Sequence, residues 1–200
     1  MPKGAITARH SDSHDTFWGP LPGFKWRREQ YGLPATRALL ATWSMIGGVY
    51  MMFVGGEFAV EDDIRRMNRL RHELTEIRIG SAEYDHVSVE DDRIFTVVRI
   101  HEGAVSLVLV NLSNQTIATH AMLDASLLPS ASSCFQIHDV WNDVAIAGQS
   151  GYAWTAGELA SFSLSFAPFQ PRVLTIRPVA TEMRAECEVP EVADLPDTAR

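Results

Sequence analysis

Apolar positions along this chain follow two different periods, and the switch between them divides it. Ala5-Ile6-Thr7-Ala8 predicts a short strand, and polar His10–Thr16 follows it. A loop dense in aromatics (Phe17, Trp18, Phe24, Trp26 and Tyr31) comes next. Pro34 suits a first helical turn, where its missing N–H costs nothing. Ala35, Ala38, Leu39, Thr42, Trp43 and Ile46 then recur at three- and four-residue spacing, which predicts a helix that Gly47-Gly48 terminates. Val49 to Val54 is a run of apolar residues without alternation, bounded by glycines, and predicts a strand buried on both faces as in a parallel sheet. Gly55-Gly56-Glu57 turns the chain. Glu61-Asp62-Asp63 then opens a second helix with an apolar stripe of Ile64, Met67, Leu70 and Leu74. Residues 5–76 thus read as two βα units.

Near Arg78 helical spacing stops. Short β-rich runs follow: His86–Val89, Ile94–His101, Val105–Leu112, Thr116–Leu123, Cys134–Trp141, Tyr152–Thr155, Leu159–Phe166 and Arg172–Arg177. Turn signals such as Asp91-Asp92, Glu102-Gly103 and Ser113-Asn114-Gln115 separate them. This spacing predicts an antiparallel β-sandwich. Ser106-Leu107-Val108-Leu109-Val110 is apolar on both faces, so it is expected between the other sheet and the α/β part. The fold class is therefore α/β plus all-β: residues 1–77, an α/β unit; 78–179, the sandwich; and 180–200, an acidic tail expected to be disordered.

Composition narrows the partners. A net charge of −8 argues against nucleic acid and anionic membrane surfaces. Arg65, Arg66, Arg69 and Arg71 sit beside acids on the second helix and read as a solvated face. The apolar stretch from Leu39 to Val54 is broken by Thr42, Ser44 and Gly47-Gly48, so it is no membrane span. Two distant cysteines, Cys134 and Cys187, make no disulfide framework or metal-ligand spacing. Reduced thiols and the absence of an apolar leader after Met1 tilt the expected compartment slightly toward the cytoplasm.

Chemistry concentrates in His10-Ser11-Asp12-Ser13-His14-Asp15-Thr16. Two imidazoles and two carboxylates could ligate zinc or iron, but the flanking Ser, Asp and Thr favour a loop, which removes the helical reason for the His10–His14 spacing. A loop without chemistry, its Ser and Asp side chains closing turns, is a second reading. A carboxylate–imidazole pair at a sugar or acyl-transfer centre is the third.

Taken in order, Ser13-His14-Asp15-Thr16, the aromatic loop, the Ala/Leu-rich helix, Gly47-Gly48, the apolar strand, Gly55-Gly56-Glu57 and a helix ending in Leu70-Arg71 resemble the C-terminal third of the α-amylase family (glycoside hydrolase family 13). Ala167-Pro168-Phe169 into Arg172-Val173-Leu174 resembles the closing segment of that family's C-terminal sandwich. The resemblance implies a partial (β/α)₈ barrel, its last two βα units, followed by that sandwich. It makes Asp15 the carboxylate that stabilises the oxocarbenium-like transition state, and His14 a hydrogen-bonding partner of the same sugar. Glu57 matches a glutamate at the end of strand eight and reads as loop-ordering. Trp18 and Trp26 are candidates for stacking on sugar faces. No metal and no cofactor are called for. Ser13 stands where the family has Asn, Gly56 where it has Gln, and Phe17-Trp18-Gly19-Pro20 replaces a common Pro-Arg, so substrate class is open.

Retaining glycoside hydrolysis needs two carboxylates about 5–5.5 Å apart, which the family carries on strands four and five. The expectation is a fragment of a glycoside hydrolase or transglycosylase acting on α-glucosidic bonds, inactive alone. Its partners would be an oligosaccharide or α-glucoside and an N-terminal barrel portion. The alternative is a non-catalytic, carbohydrate-binding or structural β-sandwich.

Overall fold

The computed structural model describes residues 6–17, 25–130, 132, 134–148 and 151–179. The acidic tail expected at 180–200 lies outside them. The chain runs β1 (Ala8–Arg9), α1 (His14–Phe17), α2 (Arg27–Tyr31), α3 (Leu33–Met45), β2 (Val49–Tyr50), α4 (Glu61–Glu73) and α5 (Thr75–Ile79). It continues with β3 (Ser81–Glu83), β4 (Val87–Val89), β5 (Ile94–His101), β6 (Ala104–Asn111), β7 (Ile117–Leu123), β8 (Cys134–Asp139) and β9 (Val144–Ile146). β10 (Trp154–Thr155), α6 (Ala156–Ala160), β11 (Phe162–Phe166) and β12 (Pro171–Pro178) complete it.

Three layers result. A seven-stranded sheet, ordered β10-β8-β12-β6-β5-β3 with β9 beside β8, faces a three-stranded sheet ordered β11-β7-β4. All pairings within these two sheets are antiparallel. Val98, Leu107, Leu109, Phe135 and Leu174 fill the space between them with Ala121, Leu164 and Phe166. The other face of the large sheet (Val97, Val108, Val110 and Val173) packs on Ala38, Leu40, Ala41 and Met45 of α3 and Met67 and Leu70 of α4. This explains why β6 carries no alternation. Its odd residues meet the small sheet and its even ones the helices.

Several expectations need correction. Val49–Val54 is not a strand buried on both faces. Only Val49–Tyr50 pairs, in parallel with Ala8–Arg9, and Val49, Met51 and Val54 are 48%, 51% and 85% exposed. Among the described residues β1 is the only strand beside it, so one side of its backbone has no ladder; Tyr50 and Met52 pack on the helical core, while the face carrying Val49, Met51 and Phe53 lacks cover. Leu159–Phe166 is not one strand. The Thr155 hydroxyl accepts from the Glu158 N–H at 3.2 Å while the Glu158 carboxylate accepts from the Thr155 N–H at 2.8 Å. This reciprocal cap starts α6 and delays the strand to Phe162. Cys134 is not a free thiol but disulfide-bonded; the other cysteine, Cys187, lies outside the described residues.

The helical layer is fastened to the sheet by buried polar contacts. Arg99 of β5, 1% exposed, donates to the carbonyls of Glu76 (3.2 Å), Ile77 (3.1 Å) and Gly80 (2.7 Å). These groups end α5, where helix carbonyls lack partners of their own. The buried Glu76 carboxylate accepts from Ser106 Oγ at 2.6 Å and from the Arg177 guanidinium. Arg71 donates to the carbonyls of Ser44 in the last turn of α3 and Gly48 just beyond it, and Arg9 Nε to that of Gly47. Gly47 is required here: it holds φ +88°, and a Cβ on it would lie 2.7 Å from Arg99 Nη1.

Arg99→Met leaves the Ile77 and Gly80 carbonyls buried without that donor, and is expected to destabilise the chain by about 2–5 kcal/mol. The urea midpoint measures it. Burial acts to raise the Glu76 pKa, but the Ser106 and Arg177 hydrogen bonds outweigh it and the net shift is downward. A depressed folded pKa means Glu76 contributes stability above its unfolded pKa, lost as pH falls through the folded one. Glu76→Gln is expected to flatten that acid-side loss in urea titrations across pH; an unchanged acid limb contradicts it.

Candidate functional site

The site is built where β1 and β2 end side by side. Ala8 pairs with Val49 and Arg9 with Tyr50 in parallel register, so the loops after both strands emerge at the same edge. Gly48 permits the approach. A Cβ there would lie 2.3 Å from the Thr7 carbonyl oxygen. The loops are tied by Ser11 Oγ and Tyr50 Oη at 3.0 Å, by the His14 and Phe53 rings at 6.4 Å, and by Arg28 Nη1 donating to the Gly55 carbonyl at 2.7 Å.

Asp12 shapes the first loop from inside. Only 5% exposed, its carboxylate accepts from the Arg27 N–H at 2.9 Å and from the hydroxyls of Ser11 (3.3 Å) and Thr16 (3.5 Å). Arg27 Nε donates to the Ser11 carbonyl at 3.2 Å. Both ends of the aromatic loop are thereby pinned together. Tyr50 sits beside this group; burial, the larger influence, raises its phenol pKa, and the Ser11 hydrogen bond opposes it.

His14 and Asp15 start α1 and face outward. Their side chains are 65% and 80% exposed, with His14 Nε2 and Asp15 Oδ1 at 3.2 Å. Glu57 turns back onto its own loop, its Oε2 accepting from the Gly55 N–H at 2.6 Å. Trp26 is half-buried against the same turn; a Cβ on Gly55 would lie 2.9 Å from its Cη2. The Arg28 guanidinium stacks 4.6 Å from the Trp26 ring and 5.9 Å from Phe58. Trp18 lies outside the described residues. The structure therefore gathers His14, Asp15, Trp26 and Glu57 at one edge, with His14–Asp15 against Phe53 and Trp26–Glu57 on the glycine turn.

Sequence reasoning missed the organisers Arg27 and Arg28, and gave Asp12 a structural role only within the reading of a turn-closing loop. The paired arginines after Trp26 were a usable signal, because aromatic–guanidinium stacking commonly orders loops. His10 is exposed, and among the described residues no group of three or more His, Cys, Asp or Glu side chains could hold a metal. No helix among them is long and apolar enough to cross a membrane. An outward carboxylate beside an imidazole can stabilise positive charge and hydrogen-bond hydroxyls, given a ligand held against this edge.

No protein-family model matches the sequence, and no curated protein matches it. Solved structures do match. A noncanonic maltogenic α-amylase from Thermotoga neapolitana superposes with a TM-score of 0.65 at 13% identity, over 89% of this chain and 43% of that one. An α-amylase from Geobacillus thermoleovorans, solved with acarbose, gives 0.64 at 16% identity, over 88% and 40%. An Anoxybacillus α-amylase gives 0.62 at 14% identity, over 88% and 39%. The fold is α-amylase-like. The chain spans about two fifths of the length of these α-amylases.

Asp12→Ala frees the Arg27 N–H, and is expected to cost about 1–3 kcal/mol. Exchange of the Arg27 amide should accelerate while that of Leu107 and Val108 in β6 changes little. Equal acceleration throughout would show that Asp12 supports the whole fold rather than the loop.

Proposed function

We propose that this chain is the C-terminal part of an α-amylase-family glycoside hydrolase or transglycosylase acting on α-glucosidic bonds. Its β1 and β2 are the last two strands of a (β/α)₈ barrel. The observation that carries the reading is the parallel β1–β2 pair joined through α3, with His14 and Asp15 directly beyond β1 on the edge where barrel enzymes carry their catalytic groups. The likeness to α-amylases, one of them solved with acarbose, supports the substrate class.

Asp15 stabilises positive charge developing on the sugar ring, and His14 hydrogen-bonds the same sugar. Trp26, steadied by Arg28 and the glycine turn, offers an aromatic face beside them. The nucleophile and the acid/base carboxylate belong to the remainder of the barrel, because two strands do not close a barrel that takes eight. The exposed Val49, Met51, Phe53 and Val54 suit such a remainder, since an apolar run beside an unpaired sheet edge is a surface for further chain.

The purified 200-residue chain is expected to release no reducing sugar from maltooligosaccharides or sucrose. Turnover by it that Asp15→Ala abolishes would falsify the division of catalytic groups. Supplied with a barrel portion carrying the two missing carboxylates, it is expected to turn over, and Asp15→Ala to lower kcat by roughly 10²–10³-fold or more.

A further inference from the structure

Away from the strand-end loops, the sandwich has a half-open surface cavity of about 390 Å³, inside the range of about 300–1,000 Å³ usual for small-molecule sites. His120 of β7 and Ser163 of β11 are directly opposed in the small sheet and point away from the core. Ser161 and Glu158 come from α6 and its exit, and the Trp154 and Phe162 rings, edge-to-face at 5.6 Å, lie behind them. Gly148 lies against the indole; a Cβ there would come within 3.0 Å of the ring, so a side chain would force the two apart.

The polar groups lining this cavity have free valences. Glu90 Oε2 engages His120 Nδ1 at 3.3 Å, which leaves Nε2 available. Oε2 of Glu158 accepts from the N–H and hydroxyl of Thr155, which leaves Oε1. Among the described residues the Ser161 and Ser163 hydroxyls have no hydrogen-bond partner within the chain. Glu90 and Glu158 disfavour an anion. Trp154 and Phe162 are each only 4% exposed, so the lining offers little apolar area to a greasy ligand. Closely spaced donors and acceptors of both kinds match a neutral polyhydroxylated ligand.

We propose that this cavity is a carbohydrate-binding site of the sandwich, separate from the His14–Asp15 edge and sized for one or two pyranose units. The choice of an α-glucan as probe rests on the function proposed above. The test is titration of the isotope-labelled 200-residue chain with maltotriose, read by amide chemical shifts. Saturable shifts are expected at Gly148, Ser161, Phe162 and Ser163. Ser163→Trp, an exposed strand position that tolerates a large aromatic, should abolish them, and His120→Ala should weaken binding about tenfold. No saturable shift with maltotriose overturns the proposal, as do shifts that persist in Ser163→Trp. Shifts confined to His14, Asp15 and Trp26 overturn it while leaving the proposed function intact. Binding at Gly148–Ser163 beside a completed barrel insensitive to Asp15→Ala upholds the cavity and overturns the catalytic assignment instead.

Discussion

The structure depends on a buried guanidinium. Arg99 carries a positive charge into the seam between the helical layer and the seven-stranded sheet, and the carbonyls ending α5 surround it. Burial and the neighbouring Arg71 lower its pKa, yet guanidinium stays charged at any ordinary pH. Its charge must therefore be met wherever the chain is folded. The α5 carbonyls meet it in one geometry only, which fixes the end of α5, hence α4 packed beside it, against β5. Glu76 repeats the arrangement with the sign reversed, held by Ser106 and Arg177 of two further strands. Apolar packing between the layers supplies the area, but an apolar interface tolerates sliding; these paired charges do not.

That seam is what places the strand-end edge. Arg71 of α4 and Arg9 of β1 both reach the carbonyls of the α3–β2 turn, and Gly47 in the same turn lies against Arg99. Three arginines from three elements thus meet at one pair of glycines. From there β2 runs alongside β1, with His14, Asp15, Trp26 and Glu57 in the segments that follow. A β-sandwich of modest size acts as the foundation for two strands that could not stand alone.

Much of this was legible in the residues. β5 and β12 fell close to the expected runs because strand length, β-branched content and turn signals agreed there. α4 was plain from its acidic start and the Met67–Leu70 stripe. The failures have physical causes. A run such as Val49–Val54 reads as doubly buried whether or not neighbours exist to bury it. Leu159 looked like strand because the Thr155–Glu158 cap that makes it helical is spread over four residues. α3 buries Leu40, Ala41 and Met45 along with the expected Ala38, Thr42 and Ile46, since a helix apolar on most sides leaves its facing to α4 and the sheet. At the site, the motif around His14 and Asp15 stood out, while Asp12, Arg27 and Arg28 did not, since their importance lies in which backbone groups they meet after folding.

The central claim is that β1 and β2 close a larger barrel and that Asp15 touches the sugar within it. A crystal structure of the chain assembled with the remaining barrel, soaked with maltotriose, tests that most directly. The account predicts further parallel strands beside β1 and β2, with a sugar hydroxyl within hydrogen-bond distance of Asp15 and His14. A maltotriose bound elsewhere, with Asp15 facing solvent as it does in this chain, would contradict it.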